Sequence, residues 1–199
     1  DQVTGRLLSS QWDFDYIDDE SIWAARLQEG ALRVGEERYR VLVLPSADVL
    51  HSRTARRLAR FARGGGKVVC VGCLPERLVS VASRSRDLAA LGDLRERATL
   101  TSVEGLPRAL ASLLEPDFRL TQPNAAILYC HRRVGDADIY FVINNAEEAA
   151  EIRARVRGQR QGQLWDPLRV ERKDIRARRG PFDLSLGPFE AALLVFGKV

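Results

Sequence analysis

The 199-residue chain predicts an α/β fold in which a parallel sheet lies between layers of helices, followed by a small antiparallel β-sandwich. Two observations support this prediction. Strand and helix patterns alternate over about the first 115 residues, as they do in βαβ units. Near Glu115-Pro116-Asp117 the pattern changes to β-branched and aromatic runs separated by turn residues. We therefore expect an α/β domain over residues 1–116 and a β-sandwich domain over residues 117–199.

The clearest elements of the first half are two buried strands and the helix between them. Residues 40–44 and 67–71 are continuous apolar runs, which is typical of strands covered on both faces. Ser52 can cap a helix that ends before the three glycines at 64–66. The further predictions are a strand at 13–17 and helices at 19–28, 85–97 and 105–114. In outline this order is similar to flavodoxin and to class I glutamine-amidotransferase domains.

The second half shows strand patterns only. Residues 126–131 and 138–143 flank a polar segment, which predicts a β-hairpin. Residues 152–156 alternate apolar and charged side chains with period two, as in a half-buried strand. Residues 182–186 and 191–196 supply two further strands.

Composition and charge exclude two classes of partner. The chain carries 31 Lys and Arg against 27 Asp and Glu, and the two signs are interleaved along it. A nucleic-acid-binding face needs basic charge gathered on one surface, so we expect no nucleic-acid partner. The dense basic run at 172–179 suits a solvated edge strand. No apolar run reaches the roughly 18 residues that a membrane helix needs, so we expect no membrane partner.

The cysteines and histidines show no metal-site or disulfide pattern. Three cysteines are an odd number, and the paired spacing of zinc ligands is absent, so we expect no metal and no cofactor. Cys70 and Cys73 have C-x-x-C spacing, but Cys70 falls inside an apolar strand, where a cysteine is usually a small core residue. Cys73 lies in the loop after that strand, at the place of an amidotransferase nucleophile.

The most informative segment is the acidic and aromatic stretch from Trp12 to Glu20, WDFDYIDDE. In open α/β sheets, the loops after the strands are where ligands and partners usually bind. The carboxylates here could hold a hard cation such as calcium, act as an acid/base pair, or serve as interface and capping groups. We adopt the third interpretation. The candidate ligand or interface residues of the chain are Asp13, Asp15, Tyr16, Asp18, Asp19 and Trp165.

Trp165 is a candidate for a different reason. It lies in the segment GQLWDP at 162–167, where an aromatic ring could stack on a sugar. A tryptophan before Asp-Pro more often fills a sandwich or a seam between domains, and we adopt that interpretation.

Several segments resemble glycoside hydrolase family 106, the α-L-rhamnosidases. The domain that follows the catalytic barrel in that family is similar to WDFDYIDDE, GALRVGEERYRVLVLP and LARFARGGGKVVCVG. Its subsequent β-domain is similar to ILYCHRRVGDADIYFVINN, LWDP and LSLGPFEAALLVF. The resemblance implies that the catalytic acid and base lie on a (β/α)₈ barrel, which these 199 residues do not contain. No catalytic residue of the family can therefore be assigned to this chain.

These observations predict a non-catalytic accessory region of a multidomain glycoside hydrolase, which braces the catalytic barrel or mediates self-association. The alternatives are a carbohydrate-binding module that uses Trp165, Tyr140 or Trp12, and an amidotransferase-like hydrolase with Cys73 as nucleophile. The expected partners are the catalytic barrel of the parent protein, a carbohydrate and a second copy of the chain. The sequence contains no methionine, so we expect a piece of a longer protein. The resemblance implies a secreted or periplasmic parent, although the chain itself indicates no compartment.

Overall fold

The computed structural model describes residues 2–79, 84–158, 161–176 and 180–197. The chain divides into two compact units. The terminal unit combines residues 1–14 with residues 114–199, and the middle unit comprises residues 15–113. Among the described residues, strands account for 41% and helices for 25%.

The elements are numbered in chain order. Residues up to 113 form α1 (Gln2–Ser9), α2 (Asp19–Ala24), β1 (Arg26–Gln28), β2 (Ala31–Val34), β3 (Glu37–Tyr39), β4 (Val41–Pro45), β5 (Val49–His51), α3 (Ser52–Arg63), β6 (Lys67–Val71), β7 (Arg77–Val79), α4 (Ser85–Arg97), β8 (Thr99–Thr101) and α5 (Leu106–Leu113). Later residues form β9 (Phe118–Leu120), β10 (Ile127–Val134), β11 (Ala137–Asn144), β12 (Ala150–Val156), β13 (Gln161–Asp166), β14 (Glu171–Arg176), β15 (Phe182–Leu186) and β16 (Ala191–Phe196).

The middle unit contains an antiparallel meander and two small parallel sheets. Strands β1, β2 and β3 form the meander, β4-β6-β8 form a parallel sheet, and β5 pairs with β7. Helix α3 buries Leu58 and Phe61 completely, because its apolar residues recur at helical spacing. Together with Leu32, Val68 and Leu94, these side chains form the core of the unit.

The terminal unit is built from two antiparallel sheets. One has the order β10-β11-β16-β13-β14 and the other the order β15-β12-β9. Strand β12 alternates buried and exposed residues along its whole length, so one face of its sheet packs into the core. The core residues come from both sheets and include Phe118, Tyr140, Leu184, Leu194 and Phe196. Helix α1 packs against the edge strand β10.

The predicted fold class, a flavodoxin-like or amidotransferase-like three-layer α/β sandwich with a β-sandwich after it, is wrong. The chain is mostly β, with several antiparallel sheets. The predicted helix at 19–28 ends at Ala24, and the next residues form the meander. Glu29 and Gly30 both have positive φ, as the two-residue turn of a tight β-hairpin requires. Gly30 therefore turns a hairpin and does not end a helix.

The stronger local patterns are confirmed. The helix at 52–63, the buried strand at 67–71 and the hairpin of β10 and β11 are all present. The predicted strand at 13–17 is wrong, because those residues form neither a strand nor a helix. His51, and not Ser52, caps α3 through its ring nitrogen. The basic run at 172–179 forms edge strand β14 up to residue 176, and residues 177–179 lie outside the described residues.

Candidate functional site

Asp13 binds the exposed edge of a sheet. Its carboxylate accepts a hydrogen bond of 2.9 Å from the backbone N–H of His131 on β10. Strand β10 is the first strand of the five-stranded sheet, so the N–H groups on its outer side have no strand to pair with. The side chain of Gln11 donates to the backbone carbonyl oxygens of Asn124 and Ile127 at 3.0 and 2.9 Å. Residues 11–13 therefore cover this edge.

His131 lies between two carboxylates. Its Nε2 is 2.9 Å from Oδ1 of Asp138, and its Nδ1 is 3.4 Å from Oδ2 of Asp117. The imidazole also stacks on the ring of Tyr140, with a centroid distance of 4.3 Å and an angle of 4° between the rings. Neither carboxylate adjoins His131 in sequence: the pairing of β10 with β11 brings Asp138 to it, and Asp117 comes from the segment before β9 in the other sheet.

Two arginines complete the group, which we call the His131 cluster: His131, Asp13, Asp117, Asp138, Arg132 and Arg157. Arg157 binds Asp117 at 2.6 Å, and Arg132 lies 3.7 Å from Asp13. Burial by itself lowers the pKa of His131, but the hydrogen bonds and charges of Asp117 and Asp138 outweigh it and raise that pKa above its ordinary value.

The His131 cluster is an ionic network, and His131 is not placed to act as a general base. A general base needs a ring nitrogen with a free lone pair directed at the proton that it removes. Both ring nitrogens of His131 are directed at carboxylates instead. A protonated imidazole satisfies both contacts, because only that form carries two N–H donors.

The other acidic candidates lie in the middle unit. Asp15 accepts a hydrogen bond of 3.0 Å from the hydroxyl of Tyr39. Asp18 caps α2 by accepting from the backbone N–H of Ser21 at 2.7 Å, and this hydrogen bond lowers its pKa. Tyr16 is 76% exposed. The side chains of Asp15 and Asp18 thus have structural partners, and the side chain of Tyr16 is largely exposed.

Asp19 belongs to a chain of hydrogen bonds that orients a tryptophan. The hydroxyl of Thr54 donates to the carboxylate of Asp19, and the indole N–H of Trp23 donates to that same hydroxyl, both at 2.7 Å. The guanidinium of Arg53 lies 4.8 Å from the centre of the Trp23 ring, and His51 contacts the ring at the same distance. The ring of Trp23 is thus held by polar and charged neighbours.

The cysteines do not form a catalytic pair. Cys70 is fully buried, and burial, with a smaller contribution from Cys73, raises the pKa of its thiol to about 11. The only other histidine, His51, uses its Nδ1 to cap α3. Within the described residues no hydrogen bond joins His51 to Cys73. The amidotransferase interpretation requires a base at the thiol, and this geometry does not supply one.

Trp165 and Tyr140 are not open stacking platforms. The guanidinium of Arg172 lies 4.2 Å above the Trp165 ring, and the indole N–H donates to the side chain of Gln163. Tyr140 is 2% exposed, so the prediction that its ring could bind a sugar is wrong.

In the described ranges, no three His, Cys, Asp or Glu side chains are grouped so that they could hold a metal ion. No helix there is long and apolar enough to cross a membrane.

The sequence matches one family over most of its length. The profile of glycoside hydrolase family 106, alpha-L-rhamnosidase, covers residues 4–178. The chain belongs to the alpha-L-rhamnosidase family. This finding confirms the resemblance seen in the sequence.

The solved and curated relatives that the chain matches are much longer than the chain itself. A rhamnosidase from Novosphingobium sp. PP1Y is 26% identical, with a TM-score of 0.69 over 93% of this chain and 20% of its own. A protein from Formosa agariphila named "Putative beta-glucuronidase" is 26% identical over 93% of this chain and 17% of its own length. A Bacillus circulans beta-galactosidase, 12% identical with a TM-score of 0.62 over 98% of this chain and 37% of its own, shares the fold. This member of the rhamnosidase family thus spans a fifth or less of the first two relatives.

The sequence pattern singled out Asp13 to Asp19 but missed Thr54 and missed the residues of the His131 cluster other than Asp13. His131, Asp117 and Asp138 have no motif spacing, because a strand pair and a loop bring them together. Thr54 lies within the predicted helix α3 and carried no separate signal. One signal was available: Asp138 begins the second strand of the predicted hairpin and His131 ends the first, so the prediction already implied that the two lie near the same end of the hairpin.

Proposed function

We propose that this chain is a non-catalytic accessory region of a larger glycoside hydrolase in the alpha-L-rhamnosidase family. The observation that carries this proposal is the extent of the match. The family profile covers residues 4–178 of the chain, yet the chain spans 20% of the Novosphingobium rhamnosidase. On this proposal the reacting groups belong to the parent protein.

The chemistry of the acidic segment supports this role. Glycoside hydrolysis uses two carboxyl groups on opposite sides of the sugar, one of them with a raised pKa. Here Asp13 accepts from a strand backbone, Asp18 caps a helix with a lowered pKa, and Asp19 accepts from a buried threonine. Carboxylates held in this way stabilise their own units.

The proposed partner is the catalytic barrel of the parent protein. Tyr16 is the member of the acidic segment with the largest exposed aromatic surface, so it is the proposed contact residue. In the terminal unit, Leu168 and Val170 are 87% and 82% exposed on the turn between β13 and β14. Neighbouring exposed apolar side chains that form one patch can mark a protein interaction surface.

Activity of the isolated chain is the direct test. We expect no hydrolysis of 4-nitrophenyl α-L-rhamnoside or of the corresponding β-glucuronide by the purified 199-residue chain. Turnover that is abolished in Asp15→Asn but retained in Asp136→Asn, an exposed carboxylate in the β10–β11 turn, would overturn the proposal.

A replacement experiment tests the accessory role itself. Deleting the matching region from the Novosphingobium rhamnosidase should reduce its soluble yield and its activity. Inserting this chain in place of the deleted region should restore both, and Tyr16→Ser in the insert should weaken the restoration. Titration of the chain with rhamnose-containing oligosaccharides covers the remaining alternative, because binding that is lost in Trp165→Ala would favour a carbohydrate-binding module.

A further inference from the structure

We propose that the His131 cluster is a pH-sensitive latch, which joins the two sheets of the terminal unit while the imidazole is protonated and loosens them when the proton leaves. The proposal is independent of the function proposed above. It concerns a group of side chains that no catalytic role uses.

The geometry favours the charged imidazole. Nδ1 faces the carboxylate of Asp117, and Nε2 faces the carboxylate of Asp138. A neutral imidazole has one N–H and one lone pair, so one of its nitrogens would direct a lone pair at a carboxylate oxygen. Both contacts are attractive only in the imidazolium form.

The contacts bridge the sheets. His131 and Asp138 lie on β10 and β11 of the five-stranded sheet. Asp117 directly precedes β9 of the three-stranded sheet, and Arg157 directly follows β12 of that same sheet. The backbone N–H of Arg157 donates to the backbone carbonyl of Asp117 at 2.8 Å, and its side chain binds the Asp117 carboxylate. The imidazolium therefore binds a residue of each sheet.

Charged side chains of both signs surround the His131 ring. Asp13, Asp117 and Asp138 contribute negative charge, and Arg132 and Arg157 contribute positive charge. Deprotonation of the imidazole removes one positive charge from this half-buried group. Two neighbouring tyrosines stay neutral, because burial raises the pKa of Tyr129 and of Tyr140.

The sign of the pH effect follows from the same contacts. Burial lowers the pKa of His131, and the two carboxylates raise it further than burial lowers it, so the folded value lies above the ordinary 6.5. A group with a raised folded pKa stabilises the fold fully below its unfolded pKa. That stabilisation is lost as the pH rises through the higher, folded value.

The protonation state can be read directly on the unmodified chain. Long-range ¹H–¹⁵N NMR of the histidine rings, recorded from pH 5 to pH 9, distinguishes imidazolium from either neutral tautomer. We expect His131 to be doubly protonated at pH 6.5 and to titrate above that value. A singly protonated His131 at pH 6.5 would overturn the proposal, and no variant has to fold for that result.

Two further measurements connect the proton to the latch. Asp138→Asn should lower the titration midpoint of His131, whereas Asp136→Asn, two residues earlier on the exposed turn, should leave it unchanged. Hydrogen exchange at the amides of β9 and β10, corrected for the intrinsic effect of pH, should accelerate about tenfold or more across the His131 midpoint. In His131→Gln this pH-dependent acceleration of hydrogen exchange should disappear. An acceleration of the same size in that variant would contradict the latch.

Discussion

The carboxylate of Asp13 accepts a hydrogen bond from the backbone N–H of His131, a residue 118 positions later in the chain. This contact fixes a segment without secondary structure to the edge of a five-stranded sheet. It also holds the backbone of the residue whose ring binds Asp117 and Asp138. Asp13 thus contributes to the order of the terminal unit through its side chain.

Replacing Asp13 should destabilise the terminal unit. Asp13→Ala removes the acceptor of the His131 N–H, and we expect a loss of about 1–2 kcal/mol in the free energy of unfolding. Asp13→Asn keeps a carbonyl oxygen and should lose less. Urea unfolding and hydrogen exchange at the His131 amide measure the effect, with Asp136→Ala as the control. Unchanged protection of that amide in Asp13→Ala would show that the contact is not formed.

The hydroxyl of Thr54 should contribute strongly to the stability of the middle unit, although it is a small group. Thr54→Val keeps the shape of the side chain but leaves the indole N–H of Trp23 and the carboxylate of Asp19 without their shared partner. We expect the middle unit to lose about 1–3 kcal/mol of stability and the emission of Trp23 to shift. Thr54→Ser retains the hydroxyl and should behave nearly as the original chain. Equal losses in both variants would rule out the hydrogen-bond explanation.

Asp87 should make the middle unit sensitive to acid. Its carboxylate accepts from the backbone N–H of Arg84 and pairs with Arg56 on α3, and these contacts lower its pKa below 3.8. Stability from this group is therefore complete above its unfolded pKa and is lost as the pH falls through the lower, folded value.

Unfolding of the middle unit between pH 5 and pH 2 tests this expectation. Asp87→Asn should be less stable at pH 5 and should show a smaller further loss on acidification than the original chain. Glu36→Gln, at an exposed turn, is the matched control. An unaltered acid profile in Asp87→Asn would refute the assignment.

Two glycines of the same triplet should respond differently to alanine. A Cβ on Gly66 would overlap the ring of Phe61, which is buried in the core. A Cβ on Gly64 would meet carbonyl oxygens at 3.5 Å, an ordinary contact, and Gly64 has a φ of −76°. We expect Gly66→Ala to cost about 2 kcal/mol or more and Gly64→Ala less than about 0.5 kcal/mol, measured by chemical unfolding. A reversed order would contradict the packing of Phe61.

The sequence predicted the elements that are determined by local pattern. Helix α3, strand β6 and the alternating strand β12 each carry a clear apolar period, and each was found where it was expected. The meander of β1 to β3 was missed, because its strands have three or four residues and its signal lies in two turns. That omission led to the wrong fold class.

The partners of the candidate residues were not predictable in the same way. Residues 13–17 alternate as a strand would, but Asp13 pairs its side chain with a backbone far along the chain. The His131 cluster draws on positions from 13 to 157, and no fixed spacing relates them. The register of the β10–β11 hairpin brings Asp138 to His131, and Asp117 reaches the ring from the other sheet.

Strand β16 lies in the middle of its sheet, between β11 and β13, and it is the last strand along the described chain. A ribosome delivers the chain from its amino end, so residues 15–113 can pack their core before Ala191–Phe196 has been synthesised. The five-stranded sheet stays divided until that final strand inserts. Until then β11 and β13 each present an unpaired edge on the side that β16 will occupy.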